Sequence, residues 1–171
     1  MSRLEGLVSV CGRVVAWFTL ALVVLTFTVV VLRYGFSLGW IWLQESITYL
    51  HAAVFMLAAA WTLGEDGHVR VDIFYRNTSP RMRAVVNVAG ITLLLIPFCV
   101  FLIAIGWDYV AASWRLMEGS REAGGLPAVY VLKSLILLLP ALLLLQCIPM
   151  LRRHFRDIKN PEPAARLVHD A

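Results

Sequence analysis

Between Ser46 and Leu63 the chain carries no Asp, Glu, Lys or Arg. That run is bounded at one end by Arg33, Trp40, Trp42 and Glu45, and at the other by the polar turn Glu65-Asp66-Gly67-His68-Val69-Arg70-Val71-Asp72. About 20 apolar residues, rising about 1.5 Å each as a helix, match a hydrocarbon core about 30 Å thick. The spacing therefore predicts a membrane span with polar clusters at both faces. Composition agrees: 60% of the chain is hydrophobic and only 15% charged, whereas a soluble domain is about half apolar and a quarter charged.

Three further apolar runs follow the same logic. The expected fold is an all-α membrane protein with spans at about 14–32, 46–63, 84–107 and 128–151. Residues 1–13 are expected to form a short interfacial helix, because Leu4, Leu7, Val8 and Cys11 recur at helical spacing with Arg3, Glu5 and Arg13 on other faces. Residues 152–171 read as a charged cytoplasmic tail without regular structure. The first run is longer than the apolar core of a signal peptide, and no small-residue cleavage site follows it, so it reads as a retained helix. Ser79-Pro80 reads as the cap and first position of the third helix. Pro97 and Pro140 are expected to disturb the third and fourth. Ala52, Ala53, Ala58, Ala59 and Ala60 predict close packing of the second helix on more than one side.

Basic residues fix the expected orientation. Arg3, Arg13, Arg70, Arg76, Arg81, Arg83, Arg152, Arg153, Arg156, Lys159 and Arg166 fall on one side; Arg33, Arg115, Arg121 and Lys133 fall on or near the other. The positive-inside bias puts both termini in the cytoplasm. The net charge of +4 is thus explained by lipid and orientation rather than by nucleic acid.

No catalytic, cofactor or metal constellation is present in the sequence. Cys11, Cys99 and Cys147 are isolated and read as packing residues. His51 lies inside a span and reads as a neutral imidazole bonded to a neighbouring helix. A four-helix redox protein, holding haem b or linked to quinone, is the alternative class. It would need histidines on facing helices or outer cysteine pairs, which the pattern does not supply. A small multidrug-type exporter would need a carboxylate within a span, and Glu45 lies at a helix end. The spans also lack the mid-membrane acids and Gly-broken helices of a self-sufficient carrier. Arg33 and Glu45 are expected to pair at the outer face, and His68, Arg70 and Asp72 to share one side of an extended inner segment.

Arg33-Tyr34-x-Phe36, Trp42-x-x-Glu45, His68-Val-Arg70-Val-Asp72, Ser113-Trp114 with Glu118, and the stretch GGLPAVYVLKSLILLLPALLLLQ from Gly124 to Gln146 come in that order. This set resembles the small membrane subunit of tripartite ATP-independent periplasmic (TRAP) transporters over roughly residues 12–152, most like the mannitol/chloroaromatic-type branch. Many relatives carry two acids after the tryptophan, whereas here Gln44 precedes the single Glu45. The resemblance implies a scaffold subunit in the bacterial inner membrane, with no cofactor of its own. Its implied partners are a large membrane subunit that holds sodium and substrate, and a periplasmic binding protein that delivers an organic acid. Arg33, Trp40, Glu45, His68, Arg70 and Asp72 then carry structure or subunit contacts.

Overall fold

The computed structural model describes residues 3–64 and 78–160, with side chains from residue 15 onward. All regular structure among the described residues is helical. The elements are α1 (Arg3–Gly35), α2 (Ile41–Gly64), α3 (Pro80–Gly90), a π-helical turn (Ile91–Leu95), α4 (Ile96–Arg115) and α5 (Val129–Lys159). Because α3, the π turn and α4 are continuous, four helices are long and apolar enough to cross a membrane.

Several boundaries depart from the sequence expectations. Residues 3–13 run into the first span as one helix without a break. The second helix begins at Ile41, which places Glu45 inside its first turns rather than before it. The third begins at Pro80 and continues to Arg115, and the fourth runs eight residues past Leu151 to Lys159. Charged residues there do not stop the helix, because the chain has left the hydrocarbon zone and helical spacing suits their pairing. His154 lies 3.8 Å from Asp157, three residues on. The expected start of the third helix is as read: Ser79 has extended backbone (φ −62°, ψ 151°), its hydroxyl accepts from the Met82 N–H at 3.3 Å, and Pro80 occupies the first turn.

The helices lie in a row. α1 packs on α2 and more lightly on α5, α2 on α5, and α5 on α3 and α4, so α5, which touches every other span, is the central member. The second helix thus has neighbours on two sides, as its alanines require, and Ala60 is buried. Hydroxyls along the helices are satisfied locally: those of Thr19, Thr26, Thr28, Ser46, Thr62, Thr92 and Ser134 each donate to the carbonyl four residues back.

The seam between α5 and the third span is built from small residues. Ala84, Ile91, Cys99, Gly106, Val110 and Ser113 are buried on one side; Pro140, Cys147 and Pro149 are buried on the other. A Cβ on Gly106 would sit 3.2 Å from a Leu137 methyl, so the close approach there requires glycine or displacement of Leu137. The inward stripe has a seven-residue spacing from Ala84 to Ile91 and from Cys99 through Gly106 to Ser113, but an eight-residue step from Ile91 to Cys99. The π turn absorbs the extra residue, since its backbone bonds reach five residues back: the Ile96 N–H donates to the Ile91 carbonyl. Pro97, which has no N–H for the Leu93 carbonyl, follows at once. The disturbance expected at Pro97 is therefore a widened turn just before it.

The flanks of the row are open. Trp17 and Phe27 on α1, Leu93 and Leu94 in the π turn and Ile105 on α4 are each more than three-fifths exposed. Such surface is compatible only with lipid or with another membrane protein.

Candidate functional site at the aromatic end of the bundle

At one end of the row, α1 stops, α2 begins, and the connection from α4 to α5 folds over both α2 and α5. Arg33, Trp40 and Trp42 lie here, opposite the basic end that carries Arg81, Arg83, Arg152, Arg153 and Arg156. The 116–128 connection is a folded loop closed by main-chain bonds. The Ser120 N–H donates to the Leu126 carbonyl at 2.9 Å, and the Val129 N–H to the Glu118 carbonyl, also at 2.9 Å. Met117 and Gly124 take positive φ (46° and 79°) to make the reversals.

Glu45 pins this loop to α2. Its carboxylate accepts the Ser120 hydroxyl on one oxygen and the Leu126 N–H, at 2.6 Å, on the other. Gly125 lies against the same pair: a Cβ there would come within 2.8 Å of the Glu45 carboxylate and clash with Ser120. Only glycine lets the chain pass between them. The expected Arg33–Glu45 ion pair is not formed. Arg33 is exposed, and the acceptors of Glu45 are taken by a loop some 75 to 81 residues on. A short loop separates the two residues in sequence, yet the Glu45 carboxylate is engaged by a half-buried N–H and a hydroxyl while Arg33 stays exposed.

A second knot joins α4 to α5. The Lys133 ammonium meets the Glu118 carboxylate at 2.5 Å and lies 4.1 Å above the Tyr109 ring. The Ser113 hydroxyl donates to the same carboxylate oxygen at 2.7 Å. These contacts hold the Glu118 carboxyl below its ordinary range; the Lys133 bond acts most, then the Ser113 bond, with burial opposing. Lys133, placed near the outer face by its position, turns onto an acid and a ring face. Beside it, the Trp114 indole N–H donates to the Ser134 hydroxyl at 2.8 Å and packs edge-on against Tyr130.

The site residues read from sequence thus separate. Glu45 is a structural pin; Arg33 and Trp40 are exposed at the same end. His68, Arg70 and Asp72 lie outside the described residues. His51 is exposed against Phe55, ring centroids 4.6 Å apart, and bonds no neighbouring helix. Sequence reasoning missed Ser120, Gly125 and the Glu118–Lys133 pair, although Glu118 and the Gly124-Gly125 stretch belong to the family-like motifs. Among the described residues no three metal-ligating side chains converge.

What the arrangement does is fasten helices to one another and to the 116–128 loop. No curated relative and no solved structure matches the chain. A family model does: that of the DctQ component of tripartite ATP-independent periplasmic transporters, over residues 22–157. Four membrane-length helices and a match across most of its length make this chain a member of that family, the small permease subunit of a TRAP transporter in the inner membrane.

Proposed function

We propose that this subunit is a non-conducting scaffold for sodium-coupled, binding-protein-dependent uptake of an organic acid. The observation that carries the reading is the open row of helices. Its ionic contacts among the described residues sit at the ends, while its flanks are continuous apolar surface. A carrier needs charged or broken-helix sites near mid-membrane. A row fastened at one end, with a broad face open between its apolar flanks, suits packing against a larger membrane protein while lipid covers the flanks. On this reading the large subunit holds substrate and sodium, and this chain needs no cofactor of its own. The substrate class follows the mannitol/chloroaromatic-type resemblance toward an acid delivered by a periplasmic protein.

Both termini face the cytoplasm, following the arginines at the basic end. Arg33 and Trp40, exposed at the opposite end, are then available to the large subunit or to the docking binding protein. His68, Arg70 and Asp72 contact the large subunit at the cytoplasmic face. The test is co-expression. The tagged small subunit should retain the large subunit through detergent purification, and cells lacking the small subunit should lose uptake. Purification of the large subunit alone with full uptake activity in those cells would overturn the reading.

A further inference from the structure

The exposed face of α2 differs from the other exposed faces of the row. Gln44, Thr48, His51, Phe55, Ala58 and Thr62 recur at four- and three-residue steps, so they form one stripe along the helix. Thr48, His51 and Phe55 are exposed. The Thr62 hydroxyl bonds its own backbone, as do the other helix hydroxyls described above. Thr48 does not, and neither the Gln44 amide nor the His51 ring has a hydrogen-bond partner among the described residues. Thr48 and His51, both without a hydrogen bond, therefore stand at successive turns on one outward face, with the half-buried Gln44 amide one turn before them.

Depth makes this costly. His51 lies ten residues into a helix of 24, about 15 Å from its start. Lipid headgroups do not reach that far, and acyl chains accept no hydrogen bond. An imidazole left unbonded in hydrocarbon loses several kcal/mol of solvation. By contrast, the exposed side chains of α1 and α4 within the span are chiefly valine, leucine, phenylalanine and tryptophan, with Thr26 bonded to its own backbone; the exposed Asp108 lies two turns from the aromatic end of α4. Polar side chains inside a span normally face protein.

We propose that the Gln44–Thr48–His51–Phe55 stripe is the seat of the large membrane subunit. It would receive a helix that brings hydrogen-bonding side chains opposite Gln44, Thr48 and His51 and packs closely at Ala58. This rests on the scaffold reading above, and on the family's description as one component of a three-part transporter, which supplies a partner other than this chain. α1 and α5 flank α2, so the stripe lies on a broad face of the row and leaves both outer flanks to lipid.

The test uses the full complex in membranes. A photoreactive benzoylphenylalanine replaces Thr48, Phe55, Phe27 or Phe101 in turn, the last two on the α1 and α4 flanks. Adducts to the large subunit from positions 48 and 55, and not from 27 or 101, are expected. Adducts to it only from 27 or 101, adducts of twice the subunit mass from 48 or 55, or lipid adducts alone from those positions would overturn the proposal. The unmodified pair is purified in parallel. If it co-purifies while positions 48 and 55 fail, this inference is wrong and the scaffold reading stands; if it does not, the scaffold reading itself fails. As a second measurement, His51→Leu should reduce recovered complex roughly five- to tenfold, as expected for loss of an interhelical bond. His51→Gln should restore most of it, and neither should change the melting of the isolated subunit, because His51 bonds nothing within it. Equal recovery with leucine and glutamine would contradict a hydrogen-bonding role.

Discussion

At Glu45 one carboxylate joins the start of α2 to the loop between α4 and α5, and its partners are named atoms rather than a diffuse field. Glu45→Gln should therefore be coupled to Ser120→Ala: in a double-mutant cycle on the melting midpoint, the second change should cost little once the first is made. Arg33→Gln and Glu45→Gln should be additive, since those two side chains do not meet. Coupling between Arg33 and Glu45 with none between Glu45 and Ser120 would reverse this account. The Glu118 knot has a pH signature. Its carboxyl is lowered in the folded chain, so its stabilising bond to Lys133 is fully present above the ordinary glutamate range. It is lost as pH falls from that range through the lowered value. The melting difference between wild type and Glu118→Gln should be flat around neutrality and should shrink on acidification through that window. A difference independent of pH would mean the carboxylate is not the bonded form. Neither knot was legible as a pair in the sequence. Glu45 lies 75 residues from Ser120, and a charged neighbour at Arg33 offered a nearer but incorrect partner. The hydrophobic pattern carries no signal for a carboxylate that bonds a backbone N–H.

Among the elements, the spans were readable because lipid imposes one requirement on each: enough charge-free length to satisfy the backbone within a helix. Their ends were less so. α5 continues through Arg152, Arg153 and Arg156, as it does through Pro140 and Pro149, because charged side chains beyond the hydrocarbon do not by themselves end a helix. The π turn was hidden for a different reason: only the buried stripe, with its single eight-residue step, reveals it. That step predicts an asymmetry. Deleting Leu93 should convert the turn to regular helix and keep Ala84, Ile91, Gly106 and Ser113 on one side. Deleting Leu102 should turn Gly106 and Ser113 about 100° away from α5. Folded yield in detergent should fall far more for the second deletion, and equal losses would count against the register argument. Ser79→Ala, which removes the cap of α3, should cost about 1 kcal/mol in unfolding measurements; no measurable change would mean that another donor or water replaces the hydroxyl.

Taken as a whole, the molecule is a row of four membrane-length helices fastened at its aromatic end, with α5 at the centre. Composition and the order of motifs were enough to expect a subunit of this kind, because membrane class and family signature are both written in local sequence. Which face meets the partner was not, since the α2 stripe becomes distinctive only when its neighbours on the row are known to leave it uncovered. The central claim is that this subunit supports transport without forming the path. Liposomes with an inward sodium gradient, supplied with the binding protein of the same system and an acid that raises its melting temperature, test that claim directly. The small subunit alone should give no uptake above empty liposomes, and addition of the large subunit should give sodium-dependent uptake that also requires the binding protein. Saturable uptake by the small subunit alone would contradict the account.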